Sequence, residues 1–173
     1  MAPKVKKQVV YVDTNVIIEA TRTGCWKALL DRFDVHTVRE IGMETQRKPS
    51  GGAAYVPVDK ALFNQKVTVH EVTENQRAAA RLQFPLLAQL DAGESDLLAY
   101  LASQDPHALL LTTADAAAVK AACALKLRDQ LRSLEELAKD CGHTPNLNRW
   151  FTSTWLSRQK TQFVFDDTSL PLS

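Results

Sequence analysis

Asp13, Glu44, Asp96 and Asp115 are the side chains whose types and positions can do chemistry together in this sequence. Asp13 directly follows the apolar run Val9-Val10-Tyr11-Val12, and Asp115 closely follows Leu109-Leu110-Leu111-Thr112-Thr113. A charge just beyond a buried strand is disfavoured unless it is solvated, caps a helix or binds a cation. Capping is the plain alternative, because Asp is a favoured N-cap and a helix is predicted after each acid. Glu44 and Asp96 add weight to the cation, since each lies inside an apolar helical stretch: Glu44 after Ile41 and Met43, Asp96 before Leu97-Leu98-Ala99-Tyr100-Leu101. Four carboxylates facing one pocket repel one another and raise their own pKa values unless a divalent cation neutralises them. An all-oxygen donor set with no neighbouring His or Cys set suits Mg²⁺ or Mn²⁺ better than Zn²⁺.

The elements that must position these acids alternate. Gln8 to Val12 reads as a buried strand, Val16 to Ala20 begins a helix, and Gly24 breaks it before Trp26, Leu29, Leu30 and Phe33 recur at helical spacing. Asp34 to Val38 reads as a second strand, followed by a helix over about 39–47. Pro49-Ser50-Gly51-Gly52 punctuates the chain, and 49–65 has no clean period and reads as an insertion. Alternation predicts a strand from Lys66 to Val72. From Glu74 to Ser103 the pattern is helical, broken near Pro85 and at Asp91-Ala92-Gly93. His107 to Thr112 suits a central parallel strand, and an alanine-rich helix runs from Asp115 to Leu127. Gln130 to Leu134 reads as a last strand, and Glu135 to Asp140 as a helix ending near Gly142. This order predicts an α/β fold, three layers α/β/α around a central, mainly parallel sheet. Ligand sites in such sheets form beyond the carboxyl ends of the strands, where Asp13 and Asp115 stand.

Composition is permissive. The chain has 173 residues and 45% hydrophobic content, enough for one core. Its 21 basic and 20 acidic residues give a net charge of +1, so a polyanion would need a local basic patch. Cys25, Cys123 and Cys141 match no zinc spacing and read as reduced thiols of a cytoplasmic protein. The apolar run after Lys4, Lys6 and Lys7 is too short for a signal peptide or membrane span. His36, His70, His107 and His143 form no cluster legible in the sequence.

VYVDTNVII at 10–18, REIGMET at 39–45, GESDLLAYLA at 93–102 and LLLTTADAAAVKAA at 109–122 together resemble the PIN domain family. The resemblance covers the chain to about Leu137 and implies a PIN-like domain over 1–144. It implies a Mg²⁺- or Mn²⁺-dependent endoribonuclease, with toxins of toxin-antitoxin pairs among its relatives. Carried onto this sequence, the metal-holding acids are Asp13, Glu44 (with Glu40 as rival), Asp96 and Asp115. Asn15 orients the site, Glu94 assists Asp96, and Thr112 or Thr113 supports the shell. RNA is the implied substrate, and an antitoxin or a second copy the implied protein partner.

Arg47 and Lys48, just beyond Glu44, are candidates for a basic substrate rim, against the ordinary role of a solvated helix end. The 145–173 extension reads as helical. Its Trp150, Phe151, Thr154 and Trp155 favour a face packed on the domain or a partner over one that stacks bases. Asp166-Asp167 reads as a solvated tail. Two other functions compete. An aspartyl-phosphate phosphohydrolase would want an acid where Asn15 stands, and a PIN-like binding module would keep the fold without catalysis.

Overall fold

The computed structural model describes residues 6–48 and 55–168, with side chains described to residue 164. Four parallel strands, β1 (Val9–Val12), β2 (Asp34–Val38), β3 (Thr68–His70) and β4 (Leu109–Thr112), lie in the order β3-β2-β1-β4. Val10, Tyr11 and Val12 are all buried because β1 is interior to the sheet and covered on both faces. The helices are α1 (Thr14–Arg22), α2 (Trp26–Arg32), α3 (Arg39–Thr45), α4 (Lys60–Lys66), α5 (Glu74–Gln83), α6 (Ala92–Leu101), α7 (Ala116–Ala124), α8 (Leu134–Asp140) and α9 (Ser153–Thr168). Flanking the sheet, they give the three-layer α/β/α fold expected, with the sheet wholly parallel among the described residues.

Strand order locates the site. The chain steps from β1 outward to β2 and β3, then returns to set β4 on the other side of β1. The connections after β1 and β4 therefore diverge, leaving a crevice at their carboxyl ends. Register aligns Val12 with Thr112, which brings the loops carrying Asp13 and Asp115 side by side.

Three expected elements differ. Pro49-Ser50-Gly51-Gly52 lies outside the described residues, but the later part of the supposed aperiodic insertion is α4. Asp59 caps it by accepting from the Leu62 amide at 2.9 Å, and Phe63 is its buried residue. A helix with so little buried surface shows no apolar period. Because Lys66 ends α4, the strand expected from 66 to 72 shrinks to Thr68–His70 at the sheet edge. The strand expected at 130–134 reduces to one bridge, Leu131 to Leu111, since Ser133 already forms a capping box with Glu136 to start α8. Gly142 follows α8 at φ +76°, a conformation that suits glycine.

The chain beyond residue 145 folds back onto the domain. Buried Glu19 of α1 accepts from the Asn148 amide at 2.7 Å and its side-chain nitrogen at 3.2 Å. Glu135 accepts from the Ser153 amide and hydroxyl at 2.9 and 2.6 Å, and α9 then packs on α7 and α8. Phe151 and Leu156 are buried and Trp155 is half-buried, whereas Trp150 faces outward.

His36 and His70, not legible as a cluster in the sequence, meet because β2 and β3 are adjacent. His36 Nδ1 and His70 Nε2 are 2.9 Å apart, Tyr100 Oη lies 2.9 Å from His70 Nδ1, and His36 Nε2 is 3.2 Å from Asp34. Tyr11 packs edge-on to His36. Among the described residues no helix is long and apolar enough to cross a membrane.

Candidate active site

Asp13 is 2% exposed at the end of β1. Its Oδ1 accepts from the Val16 amide at 2.8 Å and so caps α1. Its Oδ2 accepts from the Thr113 hydroxyl at 2.6 Å and, more weakly, from the Ala114 amide at 3.4 Å. Burial raises its pKa, and these hydrogen bonds oppose the rise. Asp115 caps α7 through Oδ1, which accepts from the Ala118 amide at 2.8 Å, while its own amide donates to Thr113 Oγ1 at 3.3 Å. Thr113 thus ties the two acids together. The capping role anticipated for both acids is real, and it fixes where each carboxylate points.

Glu44 joins from α3. Its Oε2 accepts from the Thr14 hydroxyl at 2.6 Å, and its carboxylate lies over the first turn of α6, where a Cβ added to Gly93 would stand 3.0 and 3.1 Å from the two oxygens. Gly93 is therefore required by close approach. Of the two acids of α3, Glu44 rather than Glu40 is the one held here.

The acid that α6 contributes is Glu94. It lines a small cavity with Asp13, Thr113, Leu98 and Leu111, and no described residue hydrogen-bonds it. Its pKa is pushed up to about 8, first by burial and then by the negative charges of Asp115, Asp13, Asp91 and Glu44.

Several expected roles change accordingly. Asp96 does not join the group; its carboxylate accepts from Arg77 Nε at 2.7 Å and Nη2 at 2.8 Å, tying α6 to α5. Residues two apart on a helix point to opposite sides, so Glu94 and Asp96 cannot both face the crevice. Asn15 is exposed and makes no described side-chain hydrogen bond, whereas its neighbour Thr14 donates to Glu44. Thr112 points away from Thr113, as strand alternation requires, and its buried hydroxyl has no described partner. Asp91, Thr14, Gly93 and Arg77 were not singled out by the sequence. An Asp three residues before Glu94, at the start of the same helix, was the available signal for Asp91.

Around this group lie two clefts that share Ile18 and Val56. One contains Asn15, Ala114 and Trp150; the other contains Glu44, Arg47, Lys48 and Tyr55. Arg47 and Lys48 thus border the same cleft as Glu44.

The donor set is all carboxylate oxygen with no His or Cys beside it, which suits a hard divalent cation. Among the described residues no three such side chains already form a coordination shell, so the fit is one of chemistry. No known family model matches this chain, and no curated protein matches it either.

Proposed function

We propose that the protein is a divalent-metal-dependent nuclease acting on RNA, with Asp13, Glu44, Glu94 and Asp115 as the acids that hold Mg²⁺ or Mn²⁺. The observation that carries this reading is Glu94: a carboxyl without a described hydrogen-bond donor that shares a cavity with Asp13 near the switch point of a parallel sheet, its pKa raised by burial and by the charges of Asp115, Asp13, Asp91 and Glu44. Helix capping accounts for Asp13 and Asp115 but gives Glu94 no partner. The opening VDTN segment and the order of the acid-bearing segments resemble the PIN family, whose members mostly cleave RNA.

A divalent cation bound here would supply Lewis-acid activation of water and neutralise charge on the phosphate being attacked. The chain's own residues do the positioning. Thr113 holds Asp13 and Thr14 holds Glu44, so two carboxylates keep fixed orientations before any ligand arrives. Asp115 retains one oxygen not used by its cap. Glu94, with no competing hydrogen bond, is free to turn toward a cation or to accept a proton from the attacking water. Arg47 and Lys48 offset the repulsion between these acids and a phosphate backbone. A toxin role would add an antitoxin partner, and self-association a homodimer; the chemistry needs neither.

A non-catalytic reading is favoured by the double use of Asp13 and Asp115 as N-caps, which explains them structurally. The two readings separate when labelled single-stranded RNA is incubated with Mn²⁺, Mg²⁺ or EDTA and with the Asp13→Asn and Glu94→Gln variants. Metal-dependent cleavage absent from both folded variants supports the nuclease. No cleavage and no Mn²⁺ binding by the wild type leaves the binding module.

A further inference from the structure

We infer that the two clefts beside the carboxylates hold a single-stranded polynucleotide, with one base stacked on Trp150 and the backbone running past the acids toward Arg47 and Lys48. This docking mode rests on the nuclease reading for its consequence, but on different residues for its geometry.

Trp150 is 43% exposed, although its neighbour Phe151 is buried. The Arg149 guanidinium sits 3.8 Å from the centre of the Trp150 ring. Arg149 covers part of the ring, and Trp150 lines the cleft that contains Asn15 and Ala114. Ala114 immediately precedes Asp115, and Asn15 lies two residues after Asp13, so the aromatic surface opens beside the acids.

The platform is held rigidly. Arg149–Phe151 forms a short 3₁₀ turn, and the preceding Asn148 is fixed by two hydrogen bonds to buried Glu19. Glu19 also binds Arg22 Nε and Nη2, at 2.8 and 2.7 Å, and Arg22 Nη2 reaches the Asn146 carbonyl at 3.1 Å. Trp150 is thereby referenced to α1, the helix that Asp13 caps. A rigid aromatic loses little side-chain freedom on stacking.

Beyond Ile18 and Val56 the second cleft offers Arg47, Lys48 and Tyr55. Tyr55 is also 43% exposed, and neither Arg47 nor Lys48 has a described ion-pair partner. Aromatic and cationic groups on both flanks of an acidic centre match a phosphate backbone with unstacked bases. Paired bases in a duplex present no free face to Trp150, so the occupant is single-stranded.

The test is fluorescence anisotropy of the whole chain with a labelled 12-nucleotide RNA, the same sequence as DNA, and the RNA duplex, each in EDTA and in Ca²⁺. Intrinsic tryptophan quenching is followed in parallel. Trp150→Ala should weaken single-strand binding about tenfold, Trp150→Phe should keep close to wild-type affinity, and both should abolish most of the quenching because each removes the reporting indole. Arg47→Ala with Lys48→Ala should weaken binding and lower its salt dependence by up to about two counterions. Equal affinity of Trp150→Ala and wild type, tighter binding of the duplex, or no binding in either condition would overturn the inference. Metal-dependent cleavage with unchanged Trp150→Ala affinity removes this docking mode alone. Loss of affinity in Trp150→Ala, in a protein that cleaves nothing, keeps the docking mode and removes the nuclease reading.

Discussion

Asp96 receives two parallel hydrogen bonds from Arg77, Nε to Oδ1 at 2.7 Å and Nη2 to Oδ2 at 2.8 Å, which commits this acid to the α5–α6 interface. Arg77 also donates to Glu74 at 2.6 Å, so its cation is already shared between two carboxylates. The acid available to the crevice from α6 is thus Glu94.

Glu94→Gln and Asp96→Asn should therefore have opposite effects. The first should lower metal-dependent cleavage at least about a hundredfold while leaving the fold intact. The second should destabilise by about 2 kcal/mol, less than a fully buried pair because Arg77 is 28% exposed, and keep most of its activity per folded molecule. Urea unfolding and single-turnover cleavage of both variants decide the matter. Full loss of activity in a folded Asp96→Asn protein would return the catalytic role to Asp96.

Gly93→Ala tests the close approach of α3 and α6. The new Cβ would stand 2.9 Å from Ile41 Cγ1 and 3.0 Å from Glu44 Oε2, so Ile41 and Glu44 must shift. Overpacking of this kind costs about 1–3 kcal/mol, and Mn²⁺ affinity should fall with it as Glu44 is displaced. A variant with wild-type unfolding midpoint and Mn²⁺ affinity would show that the contact is slack.

The acid cluster should make the metal-free protein less stable as pH rises. The Glu94 carboxyl titrates near 8 when folded and at an ordinary 4.5 when unfolded. Its folded-state advantage is therefore complete below about pH 4.5 and is lost as pH climbs toward 8. Thermal melts in EDTA between pH 5 and 9 should show this fall, and Glu94→Gln should flatten it. Mn²⁺ should restore stability most at the alkaline end, because binding needs the proton released. A flat wild-type profile in EDTA would contradict the clustering.

His70 should contribute a loss of stability at the acid end. Burial, and then the adjacent His36, lower its pKa below the ordinary 6.5. Its contribution is present above about pH 6.5 and disappears as pH falls through the lower folded value. Neutral rings suit the observed contacts: His70 Nε2 can donate to His36 Nδ1 while His70 Nδ1 accepts from Tyr100. Protonating both rings sets two N–H groups against each other. NMR titration should place the His70 ring below 6.5, and His70→Gln should weaken the acid limb of the stability profile. A His70 ring titrating above 6.5 would remove the explanation.

Local sequence was enough to determined positions where short-range physics governs. A β-branched run ending in Asp13, an apolar run ending near Asp115 and helices at both boundaries announce strand, cap and helix without reference to distant residues. The parallel α/β class follows from that alternation. Tertiary packing decided what each polar side chain does there. Glu94 and Asp96 are two positions apart, roughly 200° around a helix, and α6 is buried along most of its circumference, so no amphipathic period marks which acid faces the crevice. The position of Arg77 on α5 settles it. For the same reason the His36–His70 pair and the anchoring of the Trp150 turn on α1 were not legible in the sequence. Each depends on elements brought together by strand order or by Glu19, across separations that no local pattern encodes.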